Sequence, residues 1–181
     1  DFYKALEFWN EYLENYPKDP VALSNRGNVK LVLGDLDGAV KDQSQSLEIL
    51  PDEPDPHLNR GIAEEALELW SQAEEDYDWI LQRDPNDSAA LYNLGNIKAV
   101  QGDWAEAQKL FHQAAIVKPE FAMARSSSAL ALYQLGSLEQ AELELRKLIR
   151  RYPMLADARA GLSALLWRKG YFGEAESHWA A

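Results

Sequence analysis

The chain has 181 residues, 46% of them hydrophobic and 27% charged, with a formal charge of −12 from 18 basic and 30 acidic side chains. Such a balance repels phosphates and argues against a nucleic-acid partner, and no apolar run is long enough to enter a bilayer as a helix. There is no cysteine, which removes disulfides, thiolate metal sites and cysteine nucleophiles. The charge is uneven: residues 1–87 hold 21 acids and 7 bases, residues 88–181 hold 9 acids and 11 bases.

A single period organises the chain. Ala5, Ala39, Ala73, Ala107, Ala141 and Ala175 recur every 34 residues without insertion or deletion, and Pro17, Pro51, Pro85, Pro119 and Pro153 run in step. A fixed period of this length is the mark of a stacked repeat protein. In chain order, residues 1–19 read as the second half of an earlier repeat. Residues 20–53, 54–87, 88–121 and 122–155 follow as full repeats, and 156–181 as a partial one, so that 1–181 is expected to be a single array. Each repeat is predicted to be two helices. The first ends near a glycine column, Gly34, Gly102, Gly136 and Gly170, because glycine readily takes the left-handed conformation that terminates a helix. The second runs to the proline column, where a missing amide donor prevents continuation. The repeat at 54–87 has Glu68 in place of the turn glycine. A non-glycine residue is strained there, so a differently shaped turn is predicted.

Two columns of small residues, the alanines and Gly27, Gly61, Gly95, Ala129 and Ser163, imply two close helix crossings per repeat. Trp9 and Trp179 share a column with Tyr77 and Phe111, and Trp70 shares one with Trp104; these recurrences predict inter-helix core. The repeat at 88–121 carries Leu91-x2-Leu94-Gly95, then Gly102, Trp104, Ala107-x3-Phe111, Ala114 and Pro119. In these residues it resembles a tetratricopeptide repeat (TPR), whose pattern is W-x2-L-G-x2-Y, A-x3-F and P, with Leu91 for the tryptophan and Lys98 for the tyrosine. The resemblance implies an all-α fold, the TPR alpha-alpha superhelix: a right-handed solenoid of antiparallel helix pairs with a concave groove. It also implies a non-catalytic protein-interaction scaffold, one role of which would be assembly of a partner. The stretch from Asp84 to Asn96 further resembles TPR proteins of plastids and cyanobacteria, which implies a chloroplast location; the cytoplasm is the alternative.

The residues themselves carry no sign of catalysis. His57, His112 and His178 fall at different repeat positions and have no second ligand at a metal spacing. There is no glycine-rich phosphate loop and no nucleophile elbow. Asp52, Glu53, Asp55, Asp84 and Asp87 cluster at repeat junctions, where helix capping and turn formation explain them. No enzyme activity, cofactor or metal is expected.

In TPR proteins the concave groove is lined by the first helices, which by resemblance points to Asn25, Asn28, Leu58, Asn59, Ile62, Tyr92, Asn93, Asn96, Met123, Leu130, Tyr133 and Trp167. Asn25, Asn59 and Asn93 stand one repeat apart, and an asparagine amide can both donate to and accept from a peptide backbone. Trp167 is divided between groove lining and core filling. Apolar residues between the amides, with Asp55 and Glu65 nearby, suit a protein or peptide partner that is apolar and partly basic. A clamp for paired carboxylates is disfavoured because Ser24, Ala89 and Asn93 stand where its cations belong. The alternatives are self-association through the terminal half repeats, involving Phe8, Trp9 and Trp179, or a TPR part of a larger protein whose activity lies elsewhere.

Overall fold

The computed structural model describes residues 1–179, the last by its backbone; the predicted contact of the Trp179 side chain lies outside the described residues. Among the described residues every regular element is a helix: α1 (Phe2–Asn15), α2 (Pro20–Leu33), α3 (Leu36–Ile49), α4 (Pro54–Ala66), α5 (Trp70–Arg83), α6 (Ser88–Val100), α7 (Trp104–Val117), α8 (Ala122–Gln134), α9 (Leu138–Arg151), α10 (Ala156–Arg168) and α11 (Phe172–Trp179). From α2 onward, each predicted repeat is one pair of these.

Acids at the repeat junctions and at the turns within repeats start several of the helices. Asp19 accepts a hydrogen bond from the Ala22 amide at 2.9 Å, with Pro20 in the first turn. Asp87 accepts from Ala89 and Ala90 at 3.0 and 2.7 Å, and Asp103 from Glu106 at 3.1 Å. Each satisfies an amide that has no partner within its helix. At the opposite ends, Gly34, Gly102, Gly136 and Gly170 all take φ between 81 and 85°.

Glu68 corrects one expectation. It takes φ 59°, and its turn makes the same backbone bonds as the glycine turns. The Glu68 amide donates to the Glu65 carbonyl at 3.0 Å and Leu69 to Glu64 at 2.8 Å, as Gly102 does to Ala99 and Asp103 to Lys98 at 3.0 and 2.9 Å. The turn keeps its shape, and the residue bears the strain instead.

Packing follows the columns. Ala39, Ala73, Ala107 and Ala141 are fully buried. Glycine in the second small column lies against a ring of the paired helix: a Cβ at Gly61 would sit 2.7 Å from Tyr77, and one at Gly95 2.7 Å from Phe111.

The chain forms two compact units, one of Asp1–Pro85 and one beginning at Asn86. The first unit is cored partly by charge. Asp42, fully buried, receives the Arg26 guanidinium through Nε and a terminal nitrogen at 2.7 and 2.8 Å, and Lys30 at 2.8 Å. Asp76 receives Arg60 in the same two-pronged way at 2.8 and 2.7 Å and His57 Nδ1 at 2.7 Å. His57 also stacks on Trp79 with centroids 3.8 Å apart, and the Arg83 guanidinium lies 3.6 Å from that ring's centroid. Burial pushes the Asp76 carboxyl up, but the hydrogen bonds from Arg60 and His57 outweigh it and hold the group below the usual range. Glu64, one turn beyond Arg60, differs. One of its oxygens is buried without a hydrogen bond, and burial, with Asp76 nearby, pushes it up to about 7. The second unit replaces this charge with hydrocarbon: Leu145, Leu162, Leu165 and Leu166 are fully buried around Ala141 and Ala158.

Candidate functional site

In the second unit a pocket of about 540 Å³ opens between α6, α7, α8 and α10. Its existence follows from column six of the repeat. Asn25, Asn59 and Asn93 hold that column in earlier repeats, but Ser127 and Gly161 hold it here, and the shorter side chains leave space. Leu130 leans across Gly161 so closely that a Cβ there would meet its Cδ2 at 2.5 Å. The walls are Ala99 of α6, Trp104 and Phe111 of α7, Leu130 and Tyr133 of α8, and Ala160 and Ala164 of α10. Asn96, Ser127, Gln134 and Asp157 supply the polar groups. Phe111 is held from below by Tyr92, with ring centroids 5.5 Å apart, and the Arg168 guanidinium lies 5.2 Å from the centre of the Tyr133 ring. The surface is therefore a mostly apolar concavity with amides and one carboxylate at fixed points, the make-up common to ligand pockets.

Of the twelve residues the sequence points to, three meet in this pocket: Asn96, Leu130 and Tyr133. Tyr92 lies behind it, packed at a tilt against Phe111 and, with centroids 4.9 Å apart, against Phe121. Asn93 is half-buried on α6, and Met123 is 47% exposed at the start of α8. Trp167 is 58% exposed and packs edge-on against Phe172 at 4.8 Å. In the first unit Asn25 lines a separate, smaller pocket of about 260 Å³ with Ser24, Ser46, Glu53 and Asp55. Asn28 is exposed, and Leu58, Asn59 and Ile62 are half-buried on α4. Glu65 accepts a hydrogen bond from the Tyr77 hydroxyl at 3.0 Å. Sequence reasoning assigns Trp104 and Phe111 to core alone; they are also pocket walls. Ser127 and Gly161 were visible as the break in the asparagine column.

A family model described as Tetratricopeptide repeat matches residues 58–107 and 95–154, more than half of the chain. The chain belongs to the tetratricopeptide repeat family. Solved TPR structures agree in fold. One from Parabacteroides merdae matches with a TM-score of 0.84 and 21% identity, over 98% of this chain and 71% of that one. The TPR protein YrrB, whose structure is described as having an unusual peptide-binding site, matches with a TM-score of 0.74 and 17% identity, over 94% and 88%. In sequence, the TPR repeat-containing thioredoxin TTL4 of Arabidopsis thaliana is 34% identical over 93 residues. That match takes in 51% of this chain but only 14% of the relative. Among the described residues, no helix of this TPR protein is long and apolar enough to cross a membrane.

Proposed function

We propose that this TPR protein is a non-catalytic interaction scaffold that holds a partner's peptide segment in the pocket bounded by α6, α7, α8 and α10, as an assembly factor would. The observation that carries this reading is the break in column six, which turns a row of asparagines into an apolar concavity of about 540 Å³. Asn96 and Gln134 present amides that pair with a peptide backbone whatever its side chains. Leu130, Tyr133 and Trp104 offer apolar anchorage. Asp157 in this pocket, like Glu53 and Asp55 beside Asn25 in the first unit, favours a basic residue in the partner. The peptide-binding site named for YrrB supports the reading by family likeness.

The test is capture from the native source with the wild-type chain and with Asn96→Ala/Leu130→Lys. The double variant is expected to lose the specific partner while keeping its helical circular dichroism. Identical capture by both proteins contradicts the reading. Self-association is the second reading, favoured by Phe2, Tyr3 and Phe8, each more than half exposed on α1; a monomeric mass across a dilution series in light scattering rules it out. A plastid location rests on the resemblance of Asp84–Asn96 to plastid proteins, and a fluorescent fusion of the full-length protein tests it, with a diffuse cytoplasmic signal as the contrary result.

A further inference from the structure

A second pocket, of about 510 Å³, lies between α7, α8 and α9. It shares no lining residue with the first. At about 100° per residue, Arg125, Ser128 and Leu132 fall on the face of α8 opposite Leu130 and Gln134. The repeat columns explain why it is open. Position seven holds Arg26, Arg60, Leu94 and Leu162 elsewhere, but Ser128 here. The small side chain leaves unfilled a space that a large one occupies in the other repeats.

We propose that this pocket is a distinct binding site for an extended acidic peptide segment, in which an Asp or Glu is flanked by aliphatic residues. Arg125 is the reason for the acid. Its Nε is buried and has no hydrogen-bond partner, whereas the Nε atoms of Arg26 and Arg60 sit 2.7 and 2.8 Å from Asp42 and Asp76. A buried donor without an acceptor is rare in a folded protein, and a carboxylate supplies the strongest complement to a guanidinium. The acid already in the wall, Glu144, is engaged by Lys147 at 2.7 Å.

The aliphatic flanks come from the neighbouring helices. Ile116 of α7 is 64% exposed and Leu143 of α9 is 55% exposed, and α8, which bears Arg125, packs against both helices. A segment laid from α7 to α9 thus meets hydrocarbon, cation and hydrocarbon in turn. A chain-terminal carboxylate would use only one of the two apolar sides. Gln108 and Gln140, also in the lining, add amides that can hold the segment's backbone.

The test is fluorescence anisotropy of the 181-residue chain with labelled, C-terminally amidated peptides that carry Leu-Asp-Leu, Leu-Asn-Leu or Ser-Asp-Ser at the centre. The Leu-Asp-Leu peptide is expected to bind at least about tenfold more tightly than either control, as loss of one charge-assisted hydrogen bond or of its apolar flanks implies. Arg125→Met is expected to abolish the preference for Asp over Asn. Ile116→Ser/Leu143→Ser, at exposed positions, is expected to abolish the preference for Leu over Ser. Asn96→Ala/Leu130→Lys is expected to bind all three as wild type does, which separates this site from the first pocket. Equal affinity for the Asp and Asn peptides, no binding of any peptide, or an unchanged preference in either the Arg125 or the Ile116/Leu143 variant overturns the proposal. So does loss of binding in the Asn96/Leu130 variant, which would place the peptide in the other pocket.

Discussion

Glu68 is the residue whose identity and conformation conflict most openly. A side chain in the left-handed region costs roughly 1–2 kcal/mol, and part of this is recovered because glycine would lose more freedom on folding. Glu68→Gly is therefore expected to stabilise by up to about 1 kcal/mol, read as a rise in Tm of roughly 2–4 °C for a chain of this size. An unchanged or lower Tm contradicts the strain assigned to that turn. Ala107 makes the complementary case. It is fully buried where α6 and α7 cross, and Ala107→Leu is expected to cost about 1–3 kcal/mol by overpacking; denaturant titration showing no loss removes the close crossing.

Glu64 links one residue to pH. Its carboxyl is raised from the ordinary 4.5 to about 7, chiefly by burial, so the folded state holds a proton that the unfolded state has released. Its contribution is complete below about 4.5, falls between 4.5 and about 7, and is lost above. Glu64→Gln is expected to match the wild type near the lower limit and to exceed it in stability above neutrality, as parallel denaturant curves at several pH values would show. A gap that does not widen with rising pH contradicts this. Asp76 works the other way: its carboxyl is depressed, so its contribution is complete above the ordinary carboxylate value and is lost below it, as pH falls through the depressed folded value.

The helix pair is the level at which the sequence is most legible, and also where it hides most. The alanine, glycine and proline columns foretell each helix and its end, because close crossings and left-handed turns admit few residue types. The charged core of α2–α5 is not foretold by any one residue. Its signal is joint variation: Arg26 with Asp42 and Arg60 with Asp76, where the next repeat has Leu94 with Leu110. Buried ion pairs contribute little over hydrocarbon of similar volume but are costly to break. Asp76→Asn is thus expected to destabilise by roughly 3 kcal/mol. The triple change His57→Leu/Arg60→Leu/Asp76→Leu, which copies Leu91, Leu94 and Leu110, is expected to be neutral within about 1 kcal/mol or stabilising. Chemical denaturation decides, and a triple variant less stable than Asp76→Asn contradicts the pairwise reading. The pocket between α6, α7, α8 and α10 was partly legible for a related reason, and the one between α7, α8 and α9 was not. Asn96, Leu130 and Tyr133, which line the former, stand in columns the sequence points to, but an opening is made by what is small, and Ser127, Gly161 and Ser128 become informative only against the larger residues of the other repeats.

Taken whole, the molecule divides its chemistry between its two units. The first is acidic and cored by ion pairs, and the second is near neutral, cored by leucine, and carries pockets of about 540 and 510 Å³ on opposite faces of α8. The function proposed for the second unit is capture of a peptide in the pocket between α6, α7, α8 and α10. Site-specific photo-crosslinking addresses it directly, with a benzophenone amino acid placed at Ser127 in the pocket or at Met154, 85% exposed between α9 and α10, and the protein returned to its native extract. A discrete partner segment cross-linked from position 127 and not from 154 is the expected result; no adduct from 127, or the same adducts from both positions, contradicts it.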